Sequence, residues 1–82
     1  MTEQQVFDKV LSILSEFVGN ADGITNAKME TSILEDLKVN SARLVDVVLE
    51  LEDTFEIEVS DEDADNVRTV GDAVKLIMAA KS

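Results

Sequence analysis

Apolar residues recur at helical spacing in three separate stretches of this chain, and no proline breaks any of them. That pattern points to an all-α fold, because a half-buried strand would alternate with period two instead. The first stripe is Phe7, Val10, Leu11, Leu14 and Val18, widened by Val6, Ile13 and Phe17. Thr2 and Gln5 precede it at capping-box spacing and Gly19-Asn20 makes a good stop, which predicts a helix over about residues 3–18. Asn40 is a good N-cap for the second stripe, Leu44, Val47, Val48, Leu51 and Phe55. The third is Val70, Ala73, Val74, Ile77 and Met78, with Thr69 and Asp72 spaced as a cap that uses Asp in place of Glu. Ser60 with Asp63 starts a short helical piece near residues 61–66. Glu56-Ile57-Glu58-Val59 reads as an extended linker with Ile57 and Val59 buried. Three long helices and one short one predict a small four-helix bundle.

Residues 19–40 hold no period, so a long loop separates the first two long helices. Its apolar anchors are Ile24, Met29, Ile33, Leu34 and Leu37. Ser32 and Glu35 have capping-box spacing, which predicts one helical turn over residues 32–37 packed on the core. A long loop tied down in this way is often functional.

At 82 residues the chain has room for one core, so residues 1–82 read as a single domain. A core of this size supports roughly 3–5 kcal/mol of stability. Cysteine is absent, which excludes disulfides and thiolate metal sites. Histidine is absent too, which removes the usual general base and the commonest transition-metal ligand. No apolar run reaches the length of a membrane span, and the first twenty residues lack a basic start and an apolar signal core. These features predict a cytoplasmic protein without membrane insertion.

The formal net charge is −11, which repels phosphate backbones and argues against nucleic-acid binding. Ten acids lie between Leu44 and Val67 (Asp46, Glu50, Glu52, Asp53, Glu56, Glu58, Asp61, Glu62, Asp63, Asp65), and no Lys or Arg interrupts them. A surface tuned only for solubility mixes signs. An unmixed one costs stability through self-repulsion and suits docking of basic partners. Asp61, Asp63 and Asp65 have the spacing of a calcium loop, but Asn66 replaces its turn glycine, Asp72 its bidentate Glu, and Arg68 sits within it. No specific metal site is expected. Serine nucleophiles need an activating base and paired carboxylates need a cleft, so this inventory predicts a non-enzyme.

Ser41 follows the N-cap Asn40 and opens the second long helix, directly before the acidic stretch. A phosphate ester there meets backbone N–H groups and the positive end of the helix dipole. The residues around it extend this reading. Leu37-Lys38-Val39-Asn40-Ser41-Ala42, Leu51-Glu52-Asp53-Thr54-Phe55-Glu56-Ile57-Glu58-Val59, Asp61-Glu62-Asp63-Ala64 and Thr69-Val70-Gly71-Asp72-Ala73-Val74 follow in order. Together they resemble an acyl carrier protein, with the helical pattern before them extending the likeness over the whole chain.

The resemblance implies a carrier of acyl groups as thioesters on 4′-phosphopantetheine, attached through a phosphodiester to the serine opening the second helix, here Ser41. It implies an acyl-carrier-like bundle that serves enzymes of fatty-acid, lipid or secondary-metabolite synthesis. It implies partner docking through Asp46, Glu52, Asp53 and Glu56, and an acyl-chain lining resembling Ile33, Val47, Leu51, Val59, Ala64, Val67 and Ala73. The implied partners are a phosphopantetheinyl transferase and acyl-loading and acyl-processing enzymes with basic docking patches, met by a monomeric carrier. The family's usual Asp-Ser-Leu is Asn40-Ser41-Ala42 here, with Lys38, Arg43 and Glu50 as further departures. They bear on partner choice and suggest a specialised member. The alternative from another class is an unmodified acidic interaction module with weak divalent-cation binding.

Overall fold

The computed structural model describes residues 2–18 and 21–81. Helix α1 spans Glu3–Leu14, α2 Ala21–Thr25, α3 Leu44–Phe55, α4 Asp61–Asp65 and α5 Val70–Lys81. A 3-10 turn, Ser41–Arg43, leads directly into α3. The caps expected from the sequence form. The Thr2 hydroxyl accepts from the Gln5 N–H, and the Gln5 side chain accepts from the Thr2 N–H. Thr69 and Asp72 make the same reciprocal pair at the start of α5, each bond 3.1 Å long. Ser60 caps α4 by accepting from the Asp63 N–H.

The first helix is shorter than its apolar stripe. It ends at Leu14, where the Ser15 hydroxyl donates to the Ser12 carbonyl and the chain tightens into three-residue turns through Phe17. The expected stop at Gly19-Asn20 lies outside the described residues. The long loop also contains a helix the sequence did not reveal, α2, whose five residues carry no amphipathic period to read. Residues 33–36 form turns rather than a helix. Ser32 accepts from the Glu35 N–H as its spacing suggests, but the Ser32 N–H donates to Asp36 rather than to Glu35.

Val6, Val10, Ile13 and Leu14 of α1, Val47, Val48, Leu51 and Phe55 of α3, and Val70, Ala73, Val74 and Ile77 of α5 are buried. Ile33, Leu37, Val39 and Val67 join them from the connecting segments. Helix α1 packs mainly on α5 and also on α3. Phe7, Leu11 and Val18, central to the sequence stripe, are only half-buried. Both apolar edges of α1 satisfy the same period, and the packing on α5 selects the edge containing Val6 and Val10. Leu34 is exposed, contrary to its reading as an anchor. Ile57 and Val59 are half-buried rather than buried.

Backbone hydrogen bonds hold the long loop against the start of α5. Ile33 N–H donates to Arg68 O, Val70 N–H to Thr31 O, and Gly71 N–H to Met29 O, at 3.0, 3.0 and 2.7 Å. The first two flank an isolated antiparallel bridge between Ser32 and Thr69. A loop fixed at Met29, Thr31 and Ile33 delivers the following residues to one place, and those residues lead to Ser41.

Candidate functional site

Ser41 is presented by the alternation of the five residues up to it. Leu37 and Val39 are buried, while Lys38, Asn40 and Ser41 are exposed. Lys38 adopts φ 58°, a left-handed conformation that turns the chain between its two buried neighbours. Asn40 then halts the extended segment, its Oδ1 accepting from the Ala42 N–H at 2.8 Å. The Asn40 carbonyl accepts from Arg43 N–H and the Ser41 carbonyl from Leu44 N–H. The cap thus takes up the Ala42 N–H, one of the backbone N–H groups at the start of the turn. Among the described residues the Ser41 hydroxyl has no hydrogen-bond partner.

A depression of about 120 Å³ opens beside Ser41, lined by Leu44, Val45, Val48, Ala64 and Asp65. It shares Val45, Val48, Ala64 and Asp65 with a second depression of about 180 Å³, which extends to Leu49, Glu52, Val59 and Asp61. A groove with apolar Val45, Val48, Leu49 and Ala64 and acidic Glu52, Asp61 and Asp65 in its lining therefore runs between α3 and α4, with Ser41 at one end. Its lining includes Val59 and Ala64 from the sequence-derived acyl set. Ile33, Val47, Leu51, Val67 and Ala73 of that set sit in the packed core, each 2 % exposed or less.

The acids divide by position. Asp46, Asp53 and Glu56 are exposed. Glu52 is half-buried, and its Oε2 accepts from the Val59 N–H at 3.4 Å, which ties the linker to α3. Glu56 ends α3 at φ 54° and ψ 50°, the left-handed cap usually taken by glycine. Asp61, Asp63 and Asp65 stand on helix α4, where residues two apart diverge to opposite sides and cannot converge on one ion.

Two residues missed from the sequence stand on this face. Val45 is 64 % and Leu49 55 % exposed. With Ser41 they are spaced four apart, so they form one ridge leading away from the serine. They are large apolar side chains left uncovered on an otherwise acidic helix. The signal was available: both fall off the core stripe of α3.

Asp72 is perturbed. Its partial burial opposes ionisation, but the N–H groups of Arg68 and Thr69, the Thr69 hydroxyl and the Lys75 charge outweigh it. The carboxyl is held below its usual value of 3.8. The cause is capping, so this shift belongs to the fold rather than to chemistry.

The site fits a covalently attached phosphate ester. Ser41 is exposed and its hydroxyl uncommitted, the first turn of α3 favours negative charge, and the groove beside it offers Val45, Val48, Leu49 and Ala64 to an arm. Comparison with known proteins identifies the family of the chain as a whole. A family model described as "Phosphopantetheine attachment site" matches residues 8–77. An acyl carrier protein of Prochlorococcus marinus (strain MIT 9515) is 40% identical over 81 residues, covering 99% of each chain. A solved structure of the acyl carrier protein from Enterococcus faecalis superposes with a TM-score of 0.78 at 40% identity, covering 98% of this chain and 99% of that one.

Proposed function

Since the chain belongs to the phosphopantetheine-attachment family of acyl carrier proteins, we propose that Ser41 is the residue that carries its prosthetic group. The observation that carries this reading is the exposed Ser41 hydroxyl, unbonded among the described residues and standing at the head of the α3–α4 groove. The bound 4′-phosphopantetheine supplies a terminal thiol that holds acyl groups as thioesters. The chain's own residues do the rest. Leu37 and Val39 anchor the segment, Asn40 caps the turn, and Ser41 Oγ provides the ester oxygen.

Residues 1–82 act in this reading as a single non-catalytic domain in the cytoplasm. No helix among the described residues is long and apolar enough to cross a membrane. Partner enzymes with basic patches dock on Asp46, Asp53 and Glu56, with Glu52 at the groove edge and the Val45–Leu49 ridge as the apolar contact. Charge sets the encounter rate and the ridge sets the lifetime. Acyl chains enter beside Val59 and Ala64. Reaching the set formed by Ile33, Val47, Leu51, Val67 and Ala73 requires the packed core to part, which couples cargo length to breathing of the bundle.

The deciding experiment is intact mass spectrometry after incubation with coenzyme A and a broad-specificity phosphopantetheinyl transferase. The expected result is addition of one phosphopantetheine to the wild type and none to Ser41→Ala. Because Ser41 is exposed, the variant keeps its melting temperature to within a few degrees. Loading of a folded Ser41→Ala protein would refute the assignment. An unmodified wild type alongside a control carrier that loads would favour the unmodified interaction module.

A further inference from the structure

The acidic character of α3 does not extend to the serine. From Leu37 to Val45 there is no Asp or Glu, and Lys38 and Arg43 stand on either side of Ser41. Both are exposed. The first acid beyond them, Asp46, is held by Arg43, with Nη1 3.5 Å from Oδ2. The Arg43 guanidinium also lies over the Phe17 ring, 5.7 Å from its centroid. Its side chain remains 61% exposed despite both contacts. An exposed pair of this kind adds little stability. What the contacts do is hold a cation in place while offsetting the nearest acid. The serine end of the surface therefore carries two cations against two acids, Asp46 and, from α4, Asp65, and the eight acids from Glu50 to Asp63 lie beyond it.

We propose that Arg43 is a specificity determinant for docking, selecting partner proteins that place an acidic group opposite the start of α3 and basic groups along the rest of the helix. Partners whose docking groove is basic throughout are disfavoured by like-charge contact at Arg43. This rests on the reading of Ser41 as the attachment site, because it concerns how enzymes approach that residue. The sign of the charge is the determinant, rather than the shape of the side chain.

The test measures kcat/KM for loading by a transferase with a uniformly basic carrier groove, with intact mass as the readout. Wild type is compared with Arg43→Lys, Arg43→Gln and Arg43→Glu. The expected order is Arg43→Glu fastest, then Arg43→Gln, with Arg43→Lys equal to wild type. The gain from charge reversal is about 5–10-fold at low salt and shrinks at high salt. A groove variant with an acid facing Arg43 reverses the preference towards wild type. A structural role would instead make Arg43→Lys behave like Arg43→Gln, since neither keeps the guanidinium that lies over Phe17 and reaches Asp46. Melting temperatures of the four proteins identify any effect of misfolding. Equal rates for all four folded proteins, or an order that salt does not change, overturn the proposal. If none of the four is modified while a control carrier is, the Ser41 assignment itself fails and this inference fails with it.

Discussion

Replacing Gly71 by alanine separates tertiary packing from local propensity, because the two predict opposite signs. Within a helix, alanine is favoured over glycine by about 1 kcal/mol. At Gly71 a Cβ would stand 2.7 Å from the Met29 carbonyl oxygen and 3.3 Å from the Met29 carbonyl carbon and Cβ. Ordinary contact begins near 3.4 Å, so the Met29 backbone would have to retreat by roughly 0.7 Å. It is not free to do so, since the same oxygen accepts the 2.7 Å bond from the Gly71 N–H, and Thr31 and Ile33 are bonded to Val70 and Arg68 just beyond it. Overpacking of this kind costs about 1–3 kcal/mol, and weakening the hydrogen bond costs about 1 more. Subtracting the propensity gain leaves a net loss of about 2 kcal/mol. For a domain of this size that lowers the melting temperature by roughly 8–16 °C. Circular dichroism melts of wild type and Gly71→Ala at equal concentration and salt give the answer. An unchanged or raised melting temperature in Gly71→Ala would show that the loop does not press on α5 as described.

Three further outcomes are expected. Glu56→Gly should stabilise the fold by about 1 kcal/mol, because Glu56 holds a left-handed cap and adds to a repulsive cluster; a lower midpoint in urea would contradict this, and slower partner loading at low salt would show what the glutamate is kept for. Asp72→Ala should cost about 1 kcal/mol at neutral pH by removing the cap of α5; because the folded carboxyl titrates below 3.8, the contribution is complete above that value and is lost as pH falls through the lower folded pKa, so the gap between wild type and variant should close on acidification and a gap independent of pH would refute the ionised cap. Added sodium chloride should raise the melting temperature by several degrees through screening of the ten acids from Asp46 to Asp65, and a flat or falling trend would mean that their repulsion is immaterial.

Much of this molecule can be read without coordinates because the relevant interactions are local. Apolar periodicity, the capping pairs Thr2–Gln5, Ser60–Asp63 and Thr69–Asp72, the run of acids and the position of Ser41 after Asn40 each involve residues within a few positions of one another. Such interactions depend on backbone geometry that the residue types themselves dictate. The tertiary structure decided what depends on distant partners. It chose which apolar edge of α1 faces α5, turned Leu34 outward, seated Glu52 on the linker, and left Val45 and Leu49 uncovered beside Ser41. It also placed Met29 so close to Gly71 that no side chain fits between them. Residues far apart in the chain meet only when the whole bundle closes, and their spacing along the sequence contains no record of which neighbour arrives.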